Sequence, residues 1–433
     1  MRAAYQGKAK AEILAAWAAG HRCVLLQLPT GGGKTYMASM IIAEEAGYCI
    51  FAAHLDSLVG DTADRLREQG IPCGIVAPWA PFEPQYRIQV ASLGTLHSRR
   101  LELPAELIIL DECHRAKAKT VLAWLALYPK ARLLGLTATP QRGDKQPLGD
   151  VFSHMVVGPS VKELIAIGAL CQYTLLCTGG AQANRRGDGV AELEMGAGQW
   201  TRALYFAQDK AAGAEVATRL RKAWFNVEEI YGETTRKERE KIRARLRSRE
   251  TDVIVGVGVF IEGFDEPQVD AVALDASFGP IGRFLQAVGR GMRVAEGKRG
   301  LTIYDLRGAV WRHGLPDGDL KWSLTGEACT RTEPGMRLLC CNHCAAVFRA
   351  ASICPRCGRP VTPSREKPKP KTKAEKLQEY NSIPFATRRA NFLATLVRVG
   401  LSRRMPKGLA EQWALNKVRS WEKGQHGYTE NGH

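Results

Sequence analysis

Several things are scarce or missing in this chain of 433 residues. No uninterrupted apolar run reaches the roughly 18 residues that a membrane-spanning helix needs, so no membrane partner is expected. The segment Met1 to Lys10 lacks the apolar stretch of a secretory signal. Acidic residues are short: 44 Asp and Glu face 61 Lys and Arg, a net charge of +17. That excess calls for an anionic partner, nucleic acid first among them. A disulfide framework is also missing. The 12 cysteines lie singly in apolar segments except for one cluster near the C-terminus, which reads as reduced thiols in a cytoplasmic setting. No nuclease constellation appears. What remains is ordinary for a globular protein, 45% apolar and 24% charged, and long enough for two to four domains.

Short apolar runs alternate with helical stretches over residues 1–158, the pattern of a parallel α/β sheet. Strands are expected at Cys23–Leu28, Tyr48–Ala52, Ile88–Ala91, Leu107–Leu110 and Arg132–Leu136. A second alternating set runs from about 200 to 325, within a segment 159–330 that also holds a glycine-rich connector, Gly179 to Gly198. Its strands are Ala203–Ala207, Val227–Tyr231, Val253–Val257, Ala271–Asp275 and Leu301–Asp305. Beyond lie a cysteine cluster within 337–361, a Pro/Lys linker at 362–373 and a basic helical tail at 374–433. In that tail Leu409, Trp413 and Trp421 share a face, with Val418 beside them, most simply a small packing face.

The chemistry starts at Leu28-Pro29-Thr30-Gly31-Gly32-Gly33-Lys34-Thr35, between a strand and a helix over Thr35 to Glu45. Glycines there let backbone N–H groups face phosphate oxygens with no Cβ in the way. Lys34 would reach the β- and γ-phosphates and the Thr35 hydroxyl would hold Mg²⁺. The first glycine of the general phosphate-loop pattern is absent, since Leu28 stands there. Asp111-Glu112-Cys113-His114 closes a later strand, a magnesium-and-water site. Thr137-Ala138-Thr139-Pro140 follows another, where small hydroxyls can hydrogen-bond to the acidic motif.

The second half supplies Ile261-Glu262-Gly263-Phe264-Asp265 and then Gln286-Ala287-Val288-Gly289-Arg290-Gly291-Met292-Arg293. Guanidinium groups offered across a cleft suit charge stabilisation on a transferring phosphoryl group. Alone, the octet would read as an ordinary basic helix. Its distance from the phosphate loop makes sense only if two domains close over one nucleotide.

With these motifs in order, residues 2–310 resemble the superfamily 2 DEAD/DEAH-box helicases of the type III restriction-enzyme motor branch, most like RadD-like and phage-encoded helicases. The resemblance implies two tandem RecA-like parallel-sheet domains, followed here by a zinc ribbon and the basic tail. It implies that Gln6, in Tyr5-Gln6, contacts adenine, and that Thr30, Gly31, Gly32, Gly33, Lys34, Thr35, Gly263 and Asp265 bind ATP. Asp111 would coordinate Mg²⁺, Glu112 would activate water and His114 would couple to the octet. Gln286, Arg290 and Arg293 complete the implied catalytic set, the two arginines as a finger pair. Nucleic-acid contacts by motif are Ser92, Thr95, Arg99, Gly256, Val257 and Gly258. The chain departs from the family after His54, where an arginine is usual and Asp56 lies nearby.

The cluster Cys341-x2-Cys344-x9-Cys354-x2-Cys357 gives four thiolates for structural Zn²⁺. Pro355 and Gly358 suit a tight knuckle, and Cys340 and His343 stand as alternative ligands or bystanders. Residues 361–433 hold 15 Lys and Arg against 6 Asp and Glu, a charge that attracts phosphates or simply keeps a tail solvated. The expected activity is ATP-dependent movement along, or unwinding of, DNA. Three rivals stand beside it: a partner-dependent motor of a restriction or defence complex, an ATP-switched remodelling clamp, and an RNA helicase. A nuclease or a replication or repair factor would be the protein partner.

Overall fold

The computed structural model describes residues 2–116, 118–141, 147–178, 187–258, 264–326, 330–331 and 337–361, with 411, 412 and 415 beyond. Gly263, the linker and nearly all of the basic tail therefore lie outside the described residues.

The first lobe runs from α1 (Arg2–Ala18) through β1 (Cys23–Gln27), α2 (Lys34–Glu44), β2 (Cys49–Ala53), α3 (Asp56–Glu68), β3 (Gly74–Val76), β4 (Ile88–Ser92), α4 (Leu93–Arg99), β5 (Leu107–Asp111), α5 (Lys119–Leu125) and β6 (Arg132–Thr137) to β7 (His154–Val157). Its seven strands lie in the order β3-β4-β2-β5-β6-β1-β7, and every pairing is parallel. Strands β1, β2 and β4 are buried at all five positions. Helices cover both sheet faces, which is why these runs read as continuous apolar stretches rather than alternating ones.

The second lobe contains α6 (Val161–Ala166), β8 (Tyr173–Cys177), α7 (Gly189–Met195), β9 (Ala203–Ala207), α8 (Lys210–Lys222), β10 (Val227–Ile230), α9 (Arg236–Ser248), β11 (Val253–Gly256), β12 (Ala271–Asp275), α10 (Ile281–Gly291), β13 (Leu301–Asp305) and α11 (Ala309–His313). The strand order is β10-β11-β9-β12-β13-β8, again parallel throughout. Two parallel-sheet α/β lobes, as expected, form the body of the molecule.

Three strands of the two large sheets escaped the sequence reading. Strand β3 has only three residues, β7 is an edge strand with Val157 exposed, and β8 closes the second sheet at its edge. The connector is also not wholly irregular. Residues Gly189–Met195 form α7, whose first turn is fixed by Asp188 accepting from the N–H groups of Val190 and Ala191.

Past the second sheet, Leu338–Cys340 and Val347–Arg349 pair as an antiparallel hairpin. It docks on the β8 edge through an antiparallel bridge between Leu176 and Ala346, with Cys177 N–H donating to Ala345 C=O at 2.9 Å. Leu339, Ala346, Phe348 and Val361 share one apolar cluster with Leu176, Tyr205, Tyr304 and Leu306. The hairpin thus covers an edge that would otherwise present unpaired backbone groups.

Candidate nucleotide site

Strands β1, β6 and β5 are neighbours, so their C-terminal ends bring three motifs to one edge. That edge is where open α/β sheets bind ligands. After β1 the chain turns through Gly31 (φ 83°) and Gly33 (φ 90°), left-handed backbone that glycine adopts freely. Leu28, in place of the usual first glycine, is buried under the loop, where a Cβ on Gly32 would meet its Cγ at 2.9 Å. Helix α2 then begins at Lys34 with no side-chain cap on its first turn. Helices α6 to α9 all have one. The uncapped N–H groups and the positive end of the helix form an anion cradle.

Tyr5 braces this loop, its hydroxyl donating to Gly32 C=O at 2.9 Å. Gln6 is buried, and a Cβ on Gly33 would stand 3.0 Å from Gln6 Nε2. Lys34 Nζ donates to Leu28 C=O at 3.4 Å, curled over the loop. Thr30 and Thr35 are half-buried beside it.

At the end of β5, Asp111 Oδ1 accepts from the Glu112 N–H at 3.0 Å, and Glu112 itself adopts left-handed backbone (φ 48°). Desolvation and the neighbouring Glu112 carboxylate push Asp111 above the usual carboxylate range, against Lys34 and Arg290. Glu112 moves the other way. Against burial, the His114 hydrogen bond and the Lys34 charge hold it below that range. Two adjacent carboxylates with one pushed towards neutrality make a place short of positive charge. A carboxylate oxygen and a hydroxyl, which Asp111 and Thr35 offer, are the hard donors that a magnesium ion takes.

His114 Nδ1 lies 3.2 Å from Glu112 Oε2 and 3.3 Å from Thr137 Oγ1. Thr137 Oγ1 in turn accepts from the Thr139 N–H at 3.1 Å. Gln27 Nε2 donates to Ala138 C=O at 3.0 Å, tying the loop strand to the same segment. The sequence reading passed over Gln27, although a lone amide inside the apolar run Cys23–Leu28 was a visible signal.

The second lobe closes this constellation through α10. Gln286 Nε2 donates to Glu112 Oε2 at 3.4 Å. Arg290, also buried, donates to Phe264 C=O at 3.2 Å and lowers the pKa of both acidic residues. Arg293 lies along the loop, where a Cβ on Gly31 would meet its Cγ at 3.3 Å. Gly289 has no room for a Cβ, which would meet that of Thr30 at 2.6 Å, and a Cβ on Gly282 would meet Thr139 Oγ1 at 2.9 Å. Asp265 pairs with Arg293 and with Arg65 of the first lobe.

The nucleic-acid candidates are less uniform. Ser92 and Thr95 are buried at the start of α4, whereas Arg99 is exposed and donates to Ala77 C=O at 3.2 Å. Gly256 ends β11, with Val257 and Gly258 (φ 67°) just beyond it.

Two domain families match this arrangement. Residues 2–142 match the type III restriction enzyme res subunit, and residues 190–295 the helicase conserved C-terminal domain. The chain carries the paired motor domains of the superfamily 2 helicases, the first of them of restriction-enzyme type. Its two domains are those of a nucleic-acid-dependent ATPase. A 51.5 kDa protein of Lactococcus phage (isolate 7-9) is 25% identical over 81% of this chain and 81% of its own. The putative mitochondrial ATP-dependent helicase irc3 of Schizosaccharomyces pombe is 24% identical over 72% of this chain. A solved fragment of a putative HsdR subunit of a type I restriction enzyme from Vibrio vulnificus YJ016 shares the fold with a TM-score of 0.56, at 22% identity over 72% of this chain. The chain spans 58% of irc3 and 65% of the HsdR fragment, less than two thirds of each.

The four cysteines of the ribbon bring their Sγ atoms within 4.8 Å of one another. A tetrahedral zinc with bonds of about 2.3 Å needs sulfurs about 3.8 Å apart, so the set fits. The Cys341–Cys357 and Cys344–Cys354 sulfur pairs lie 3.6 Å apart. Against burial, the backbone N–H groups of His343 and Cys344 hold the Cys341 thiol below its ordinary pKa, while burial pushes the neighbouring Cys344 thiol up. The two alternatives stand aside: Cys340 Sγ lies against Cys177 C=O at 3.9 Å, and His343 Nδ1 meets Arg359 at 2.9 Å.

Among the described residues no helix is long and apolar enough to cross a membrane.

Proposed function

We propose that this chain is an ATP-driven DNA translocase or helicase that hydrolyses ATP between its two lobes. The contact of Gln286 with Glu112 carries the reading, because it joins the acidic motif of one lobe to the octet of the other. In this reading the loop N–H groups and Lys34 bind the phosphates, with Gln6 at the adenine. Thr35 and Asp111 hold Mg²⁺, which when bound neutralises charge developing on the phosphates. Glu112 orients the attacking water. Arg290 and Arg293 meet the γ-phosphoryl group, and Gly263 and Asp265 bind the nucleotide. Zn²⁺ on Cys341, Cys344, Cys354 and Cys357 would lock the ribbon onto the β8 edge.

Movement follows from coupling. His114, Thr137 and Thr139 connect Glu112 to the start of α10 at Gly282, so loss of the γ-phosphate is felt where the lobes meet. A nucleic-acid track would run over the strand ends of both lobes, at Ser92, Thr95 and Arg99 and at Gly256 to Gly258. Since Ser92 and Thr95 are covered, of the three first-lobe positions Arg99 presents the side chain. The working division is one motor lobe over 1–158, a second over 159–330, the ribbon at 337–361, the linker and the tail, acting in the cytoplasm.

DNA is preferred because the first-lobe domain is that of a restriction enzyme. Fold likeness does not choose: a type ISP enzyme bound to DNA and Dbp5 bound to RNA both score 0.52. The restriction match also supports a second reading, a motor that works only beside a nuclease subunit. Displacement of a labelled strand from forked DNA, forked RNA and a triplex tests these. ATP-dependent displacement on DNA supports the proposal; displacement on RNA alone overturns the choice of track. Activity that appears only with an added nuclease subunit supports the second reading.

A further inference from the structure

Outside the motifs, the lobes meet along one face of α3. Asp61 and Arg65 stand one helical turn apart, so both point at the second lobe. Asp61 Oδ2 lies 3.4 Å from Arg243 Nη1 of α9. Arg236, two turns earlier on α9, lies over the Trp79 ring at 3.6 Å. A Cβ on Gly60 of α3 would meet the Arg236 guanidinium at 2.6 Å, so the helix backbone itself is the floor of that contact.

Arg65 reaches furthest. It pairs with Asp265, whose other carboxylate oxygen pairs with Arg293. Arg243 fixes the backbone between them, donating to Asp265 C=O at 3.1 Å and to the buried Glu266 carboxylate at 2.8 Å. One carboxylate held in place thus serves two guanidiniums. Arg293 belongs to its own lobe and Arg65 to the opposite one.

We infer that Arg65 is a positioning residue that links closure of the cleft to release of Arg293. With the lobes apart, Arg65 is withdrawn and Asp265 holds Arg293 alone. When they close, Arg65 takes a share of the Asp265 charge, and the hold on Arg293 weakens beside the phosphate loop. Arg293 can then turn its charge to the nucleotide at the stage when the site is assembled. The idea rests on the ATPase reading above and adds a residue outside the motifs read from this sequence.

Kinetics of Arg65→Ala, Arg65→Lys, Asp265→Asn and the Arg65→Ala/Asp265→Asn double variant test it, at saturating DNA. Arg65→Ala should lower kcat about ten- to a hundredfold, the scale of a small misplacement of a reacting group. Arg65→Lys should recover most of that. With Asp265→Asn already present, Arg65→Ala should cost less than about twofold, because the tether is gone. Losses that multiply, or an unchanged kcat in Arg65→Ala, overturn the inference. Dyes on the two lobes give a reading without turnover. Arg65→Ala should need more non-hydrolysable ATP analogue to close than the parent chain, and equal closure overturns the inference even if no hydrolysis is seen. Failure of the ATPase reading shows separately, as turnover that survives Lys34→Ala.

Discussion

Gln286 on α10 donates to Glu112 at the end of β5, across 3.4 Å and across the cleft between lobes. Glu112 has two further restraints, His114 at 3.2 Å and its own left-handed backbone. In the proposed mechanism this carboxylate orients the attacking water, and it stays so held only while α10 is docked. Gln286→Ala should lower kcat about a hundredfold, as loss of one aligned polar group in an enclosed site does. Binding of a fluorescent nucleotide should stay within about threefold. Pre-steady-state binding and steady-state turnover, measured on the same preparation, separate the two.

Gly33 caps α2 at φ 90° with Gln6 Nε2 at 3.0 Å from where a Cβ would be. Gly33→Ala therefore adds left-handed strain of about 1–2 kcal/mol and crowds the Gln6 amide, which the proposal puts at the adenine. Nucleotide affinity should fall about tenfold or more because the added methyl crowds the loop, and the strain should lower the melting temperature of the nucleotide-free protein by about 2–5 °C. Isothermal titration with an ATP analogue reads the first effect and thermal denaturation the second.

Thr137 Oγ1 links His114 to the Thr139 N–H. Thr137→Val keeps the shape but removes both hydrogen bonds. The DNA-stimulated ATPase should remain within about fivefold, since no group at the phosphates is lost. Strand displacement should drop much further. The ratio of ATP consumed to base pairs opened is the quantity to measure.

The ribbon shares its apolar cluster with Tyr205, Tyr304 and Leu306 of the second lobe. Chelation of zinc, or Cys354→Ser, should therefore destabilise that lobe and not the ribbon alone. A drop of about 5–10 °C in the melting temperature is expected. Elemental analysis should find one zinc per chain in the parent and less in the variant. Exchange of amide hydrogens should quicken along β8.

Much of this was legible in the sequence because parallel strands buried on both faces leave continuous apolar runs. Ala203–Ala207, Ala271–Asp275 and Leu301–Asp305 coincide with β9, β12 and β13. The acidic motif, the phosphate loop and the octet were legible because their chemistry demands rare combinations at fixed spacing. The edge strands β3, β7 and β8 were not, since a short or half-exposed strand has no such run to show. Asp188 also hid α7: a capping residue inside a glycine-rich stretch looks like a turn until the helix behind it is seen. Arg65 was illegible for another reason. Its partner Asp265 is 200 positions away in the chain, and only closure of the two lobes brings them together.

The central claim is hydrolysis at the cleft that depends on a polymer track. Steady-state ATPase rates of the parent chain and of Lys34→Ala, alone and with single-stranded DNA, forked duplex and RNA, test it most directly. The account predicts strong stimulation by DNA in the parent, none in Lys34→Ala, and DNA binding retained by both. Hydrolysis that no polymer stimulates, or that Lys34→Ala leaves intact, would contradict it.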